Sequence, residues 1–559
     1  MANYTRNTLT GSLAPVNNEL EKIEQSLKDK LDRAPSTGQT NQLKASLDAN
    51  SNRILNLPAP STPNEPARLK DVQEANGSSI FPPQDGLVGN YLSTDGTTPF
   101  WSGAVATALD TKLTDLTTLG IMSSTRVYPV GAVVPTSGYA IAGDGGKGDW
   151  RRTALTGQIA NRTPINLGDG LFNDSNGNQW ELVSKSILLQ AVGGKSDGAT
   201  DDSNAIDAGI FWGDKTGGKL VFGFGVTLTG RIDIDNLTVD ISGLSMDFSI
   251  LKLVDNADNH VVFLSGQTSI KLSNLTIDQN RANQTAGHGV RLGGTNRTRF
   301  DNLRIINVNS YGIGVQGGSN YKPKWTNIEI ENCGSDGIDI KDYNNNNDVI
   351  VIDNATFKNV STINTNDVAI DVRGGINATN ITVTTETGSS SRGVRFRQGG
   401  SQGRAGFGVI NGFVFKGHGA DTTIAIDLDS ESKNFVISNI DCTDCAIVIN
   451  QTANSTGGVI SNITATGLTN NGMNLGGADM IINNVNMTNA AGSSRLVDVL
   501  PTATNNQINN FLFDETTAST QAVRIQAGAL NTSLSNGSLR GGVVGDSGTG
   551  TVQTNVRAI

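Results

Sequence analysis

Histidine and cysteine are almost absent from this chain, with three of each in 559 residues. Cys333, Cys442 and Cys445 cannot build a disulfide framework, which fits a reducing compartment. Cys442-Thr-Asp-Cys445 has metal-site spacing, but no second Cys or His pair completes it. His260, His288 and His418 are scattered and read as structural. Lysine and arginine total 42 against 52 acidic residues, a net charge of −10. That balance argues against a surface tracking a phosphate backbone, so no nucleic-acid partner is expected. No run of about 18 apolar residues is present to span a bilayer, and the opening MANYTRNTLTGSL lacks the basic and apolar regions of a secretory leader. The expectation is a protein that folds in a cytosol and does not insert in membranes. No nucleophilic triad or metal cluster is visible, so neither metal nor cofactor is expected.

What the chain does have is glycine, 66 residues of it, and a later half rich in Asn, Thr, Ser and Ile, a composition of strands and turns. From residue 274 on, one phrase recurs: Asn, apolar, variable, apolar. It appears at Asn274, Asn302, Asn327, Asn354, Asn380, Asn439, Asn462, Asn484 and Asn510, with looser copies at Asn411 and Asn536. The separations of 22 to 31 residues are too variable for fixed helical units and fit the turns of a β-helix. A second strand follows in each turn, among them Val290-Arg-Leu292, Ile313-Gly-Val315, Ile338-Asp-Ile340, Ile370-Asp-Val372, Val394-Arg-Phe396, Ile426-Asp-Leu428 and Ile447-Val-Ile449. Side chains on a strand alternate between faces, so the flanking apolar residues point into a cylinder and the middle one points out. The turn asparagines are placed to ladder their amides up the stack. The fold class this predicts is all-β, a right-handed parallel β-helix.

Ahead of the repeats the chain changes character several times. Residues 18–33 space Leu20, Ile23, Leu27 and Leu31 as an amphipathic helix. Residues 34–85 carry much of the proline and little periodicity, as extended chain that docks on something else. Residues 127–184 alternate strand-like pieces with glycine-rich turns, as a small β module. The glycines of 138–150 lack the Gly-Lys-Ser/Thr ending of a phosphate-binding loop. In the segment 187–206, ILLQAVGGKSDGATDDSNAI, Asp201 or Asp202 can cap a helix near 203–212 that would cover the open end of the stack. The body is expected over 185–540, with 86–126 a linker and 541–559 a tail.

Several of these segments resemble a known family. Residues 47–60, LDANSNRILNLPAP, continuing to EPARLKD at 65–71, look like the virion-anchoring start of short-tailed phage tail fibres and tailspikes. GLVGNYLSTDGTTPFW at 86–101 is similar to a run recurrent in phage fibre proteins. The entry at 187–206, with Ser196-Asp197-Gly198 in its turn, resembles the start of tailspike and pectate-lyase-like β-helices. The resemblance implies a homotrimer in the virion tail. Residues 1–85 would hold it to tail or portal-adaptor proteins, and its β-helix would bind a host surface polysaccharide, often cleaving it.

No catalytic motif carries over, so candidate residues come from register. The outward residues of the second strands form a column that reads Arg291, Gly314, Asp339, Asp371, Arg395, Asp427, Val448, Asn474. Two positions on, the parallel column holds Lys341, Arg373, Arg397 and Asp429. Glycoside hydrolysis needs a proton donor and a second carboxylate. Asp339 and Asp371, one turn apart, are expected about 5 Å apart, and Asp371 and Asp427 about 9.6 Å apart. Lys341, Arg373, Arg395 and Arg397 are the expected binders of an acidic polysaccharide, and Trp325 is a candidate for stacking on a sugar ring. Glu329, Glu331, Asp336, Asp342, Asp353 and Asp367 are further acidic candidates. Hydrolysis is the first expectation. Elimination with Lys341, Arg373 or Arg397 as base, a receptor-binding or adaptor spike without activity, and a merely solvated ladder of charges are the alternatives.

Overall fold

The computed structural model describes residues 116–559 apart from 125, 157–169, 267–268, 317–319, 321, 342–348, 364–366, 387–391, 399–405, 419–422, 430, 490–494 and 516–520. Before 116 it describes only four short strands. The chain divides into two units, Met1–Asp110 and Thr111–Ile559. In the first, Leu31–Asp32 pairs antiparallel with Gln42–Leu43, and Tyr91–Thr94 with Pro99–Ser102. Leu31 and Asp32 are therefore strand, where the sequence pattern predicts the last turn of a helix. The remainder of that helix lies outside the described residues.

The second unit opens with a four-stranded antiparallel sheet built from Val133–Pro135, Asp149–Thr156, Leu171–Asn173 and Asn178–Leu182. Trp150, Phe172 and Trp180 fill its core, and the Trp180 indole donates to Asp174 Oδ2 at 3.0 Å. This is the small β module expected over 127–184.

A parallel β-helix follows. The helix at its entry runs Ser203–Thr216, longer than the predicted 203–212, and buries Ile206, Ile210 and Trp212 over the end of the stack. Gly209 is what lets it sit close, since a Cβ there would meet Leu220 Cδ1 at 2.6 Å. Of the two predicted caps, Asp202 occupies the cap position but turns its carboxylate to the Lys195 and Ser196 amides, both at 2.8 Å. Asp201 Oδ1 instead accepts from Ser203 N–H at 3.0 Å.

Long strands such as Lys324–Cys333 and Val349–Lys358 belong to an 18-stranded sheet, and the short second strands to a 13-stranded one. Ile338, Ile370, Val394 and Ile426 pair in register and are buried, the stacking that the alternation predicts. Two boundaries differ from expectation. Ile426 pairs with Ile449 rather than Ile447, and Asp427 with Asn450, so Val448 lies within the wall and Asn450 takes its place in the outward column. Residues 541–559, expected as a tail, add another rung through Val544–Asp546 and Val552–Ala558.

Each long strand bends at the repeated asparagine, whose φ is positive, as at Asn302 (55°), Asn327 (52°) and Asn462 (57°). Asparagine tolerates this left-handed conformation better than other side chains bearing a Cβ. In the looser copy at Asn411 the conformation moves to Gly412, at φ 78°. The amides form the expected ladder: Asn462 Nδ2 donates to Asn439 Oδ1, and Asn484 Nδ2 to Asn462 Oδ1, both at 2.9 Å. Asn462→Ala loses both bonds and forces alanine into the left-handed region, for an expected loss of about 1–2 kcal/mol. Asn462→Gly loses only the bonds and should fall less, as read from urea midpoints of the two variants.

Candidate functional site

The outward face of the short-strand sheet carries the charges. Register stacks Phe263, Arg291, Gly314, Asp339, Asp371, Arg395, Asp427 and Asn450 in one column. Asp339 and Asp371 sit on adjacent rungs, and with Asp336 they bring one carboxylate oxygen each within 4.8 Å of one another. The approach predicted for Asp339 and Asp371 is therefore present. Their solvation is not as predicted, because both side chains are 0% exposed.

The cover is cationic. Arg373 Nη2 bridges Asp339 and Asp371, lying 2.9 Å from Asp371 Oδ2. Lys341 Nζ reaches Asp339 Oδ2 at 2.7 Å and donates to Tyr311 Oη at 3.0 Å. Arg395 Nε donates to Asp371 Oδ1 at 3.1 Å, and Arg397 Nε to Asp371 Oδ1 and Oδ2 at 3.0 and 3.1 Å. The solvated-ladder alternative fails here. Burying ions costs several kcal/mol each in desolvation, and such clusters are weak contributors to net stability.

The environment separates the three acids. Asp336 is buried, accepts the Val368 amide at 2.7 Å, and is held well above the usual carboxylate range by burial and then by the charges of Asp371, Asp339 and Asp367. Asp339 is also raised, its burial outweighing Arg373 and Lys341. Burial pulls Asp371 upward too, but Arg397, Arg395 and Arg373 overcome it and hold Asp371 below the ordinary value. One carboxyl whose pKa is raised thus lies beside one whose pKa is lowered, the divergence that acid–base work on a glycosidic bond uses. Burial works against the Lys341 ammonium, yet Asp339 and Tyr311 raise its pKa on balance, and Arg397 is raised by Asp371. Neither cation is a proton acceptor near neutral pH.

The three carboxylates have the spacing of a divalent-cation site. Four cationic side chains, Lys341, Arg373, Arg395 and Arg397, already face them, so an added cation would enter against like charge.

Asp427 stands apart. Arg395 occupies the rung between it and Asp371, and its carboxylate takes Arg392 Nη1 at 2.6 Å and Asn450 Nδ2 at 2.8 Å. Trp325 is no sugar platform: it is 0% exposed and stacks on Phe300 inside the cylinder, centroids 5.4 Å apart. Its register neighbours are Phe300 and Ile352, an apolar column that the sequence shows once aligned. Glu329 and Glu331 lie on the long-strand sheet with Arg304 and Lys358, and Asp353 is on that sheet too. Asp342 lies outside the described residues.

Sequence spacing does not connect the residues two positions ahead of each short strand with one another. His260, His288, Tyr311 and Asp336 occupy that place on successive rungs, so the first two histidines are neighbours rather than scattered. Their rings stack at 4.5 Å, and His288 meets Tyr311 at 4.8 Å. His260 Nδ1 accepts the His288 amide at 3.1 Å. Burial, then Arg291, lowers the His260 pKa to about 4; burial, then His260, lowers that of His288 to about 3. Both rings are neutral when folded, while the unfolded chain takes up their protons near pH 6.5. Their contribution to stability is complete above about pH 6.5 and drains away as pH falls toward 3–4. His288→Gln should flatten the fall in melting temperature between pH 7 and pH 4.

No family model and no curated protein matches the chain. Among solved structures, the N-terminal fragment of bacteriophage Phi29 gene product 12 is 16% identical, with a TM-score of 0.51 over 66% of this chain and 71% of that one. Tailspike protein 2 from an Escherichia coli O157:H7 bacteriophage is 13% identical, TM-score 0.43, over 80% of this chain and 56% of that one. Tailspike protein gp49 from Acinetobacter baumannii bacteriophage Fri1, described as a capsular polysaccharide depolymerase, is 10% identical, TM-score 0.46, over 77% and 74%. The first likeness shows the fold that the rungs show.

Proposed function

We propose that this chain is a phage tailspike whose β-helix binds an acidic polysaccharide of a bacterial surface and cleaves it by glycoside hydrolysis. In this proposal residues 1–85 tie a homotrimer to the virion tail, as the resemblance of residues 47–71 and 86–101 implies. The phage fold likeness is consistent with it. The observation that carries the catalytic part is the trio of carboxylates on two adjacent rungs, with the pKa of Asp336 raised and that of Asp371 lowered, under a lining of Lys341, Arg373, Arg395 and Arg397. The cations pair with acidic groups of the glycan. Asp336 is the source of the proton, which passes through Asp339 to the leaving glycosidic oxygen as the bond to the anomeric carbon breaks. Asp371 stabilises the positive charge that develops there. Water then adds its oxygen to that carbon, and its proton returns to the carboxyl pair. An acidic glycan that draws Arg373 and Lys341 to itself uncovers the carboxylates.

Elimination is less well supported, because two of its candidate bases, Lys341 and Arg397, have pKa values that the site raises. Binding without cleavage is the second reading, favoured by the complete burial of Asp339 and Asp371. The test is incubation of the purified full-length protein with capsule or O-antigen, followed by analysis of the fragments. Hydrolysis gives new reducing ends with no ultraviolet-absorbing unsaturated sugar; unsaturated ends would establish elimination instead. Retention of the glycan without fragments would leave only the binding role.

A further inference from the structure

Below the carboxylate cluster lies a guanidinium with no acidic partner among the described residues. Arg291 is half-buried on the outward face of Val290–Gly293, and no carboxylate among the described residues pairs with it. Its contacts are the Phe263 ring, 5.2 Å from the guanidinium carbon to the centroid, and His260 Nε2 at 3.2 Å from Nη1. The neighbouring Arg231 is paired with Asp233 at 2.9 Å.

The His260 contacts do not balance. Its Nδ1 faces the His288 amide N–H and its Nε2 faces an Arg291 N–H, so two donors converge on one ring. A neutral imidazole has one lone pair to offer and carries a proton on the other nitrogen. Either tautomer therefore leaves two N–H groups pointed at each other, and a cationic ring would be worse. What this corner lacks is a hydrogen-bond acceptor, preferably a charged one, to lie between the imidazole and the guanidinium.

The position along the stack says what kind of molecule could bring it. Phe263 offers a partly exposed ring beside the cation. Gly314 occupies the outward position on the next rung, where a Cβ would lie 3.4 Å from Gln316 Nε2, so the side chain that reaches over this place between Arg291 and Asp339 is an uncharged amide. A Cβ at Gly314 would lie 3.1 Å from His288 Cδ2, so this glycine also makes room for the histidine stack. Arg291 is two rungs from Asp339 and Lys341 and three from Asp371 and Arg373, about 9.6 and 14 Å at strand spacing.

We propose that Arg291, His260 and Phe263 form a second, anion-binding subsite. It takes the carboxylate of an acidic sugar against Arg291 and His260, and the apolar face of the same ring against Phe263. Resting on the polysaccharide-binding role above, the subsite extends the site along the stack and favours an acidic glycan long enough to reach both ends. Such a chain gains by tethering, since engagement at one end raises the effective concentration of the other.

Because the chain holds only three histidines, imidazole resonances report the subsite directly. The full-length protein, labelled at the histidine rings, is titrated with sodium glucuronate and with neutral methyl glucoside, at pH 7.5 and low salt. Glucuronate should shift the His260 and His288 signals saturably and leave His418 in place. Methyl glucoside should bind at least tenfold more weakly. Arg291→Gln should weaken the glucuronate response at least tenfold and Arg291→Lys less, with an unchanged His418 signal showing that the rest of the fold is intact. No shift at His260, an equal response to methyl glucoside, or an undiminished response in Arg291→Gln would overturn the subsite. Cleavage assays do not enter this readout, so loss of the subsite with hydrolysis intact, or the reverse, separates this proposal from the one it rests on.

Discussion

Asp336→Asn should abolish cleavage of the polysaccharide while leaving the protein about as stable as before. The carboxyl of Asp336 is buried, and burial together with Asp371, Asp339 and Asp367 pushes its pKa well above the ordinary value, which favours the uncharged acid. Asparagine replaces it with an uncharged group of the same shape that can still accept the Val368 amide. What the amide cannot do is surrender a proton to a leaving oxygen. Positioned acid–base groups contribute about 10²–10⁴-fold to rate, and a loss of that size in product release, with an unmoved melting temperature, is the expected pair of results. A large fall in stability would mean that Asp336 is ionised and paired at rest. Full activity would place the proton donor elsewhere.

The opposite pattern is expected at Asp371. Its carboxylate is the shared acceptor of Arg373, Arg395 and Arg397. Asp371→Ala removes the anion and leaves three guanidiniums crowded together with no counter-charge on that rung. Removing one partner from a buried ion pair costs about 3–5 kcal/mol, and this site should lie within or above that range in urea denaturation. Asp427→Ala is the internal comparison. The partners described for its carboxylate are Arg392 and Asn450, and Arg392 is partly open to water, so the loss should be less than half as large. Similar losses in the two variants would remove the argument that three arginines depend on Asp371.

The two substitutions also bear on how the site was recognised. Asp339 and Asp371 could be found from the sequence because each is the middle residue of an apolar-variable-apolar triplet, and the triplets recur in phase. Asp336 belongs to no triplet. It lies two residues ahead of one, and only the turn of the backbone before the strand brings its carboxyl over the face, beside residues on its own rung and the next. His260 and His288 read as scattered for the same reason, since imidazoles 28 positions apart have no reason to look related until rungs are stacked. Trp325 failed in the other direction. Its chemistry suits a sugar platform, while its alignment with Phe300 and Ile352 places it inside. At Ile447-Val448-Ile449 three consecutive apolar residues left the period-two pattern ambiguous, and the pairing fell on Ile449.

Periodicity in the chain was enough to determine the winding: alternation decides which side chains enter the core, and asparagine decides where the strand bends, because both are local preferences repeated many times. Burial and charge state were decided only by the tertiary structure. Whether an outward aspartate meets water or three arginines depends on which rungs lie above and below it, and on side chains whose reach crosses those rungs. That separation, between residues near in sequence and groups near in space, is why the fold could be read early and the chemistry of Asp336, His260 and Arg291 could not.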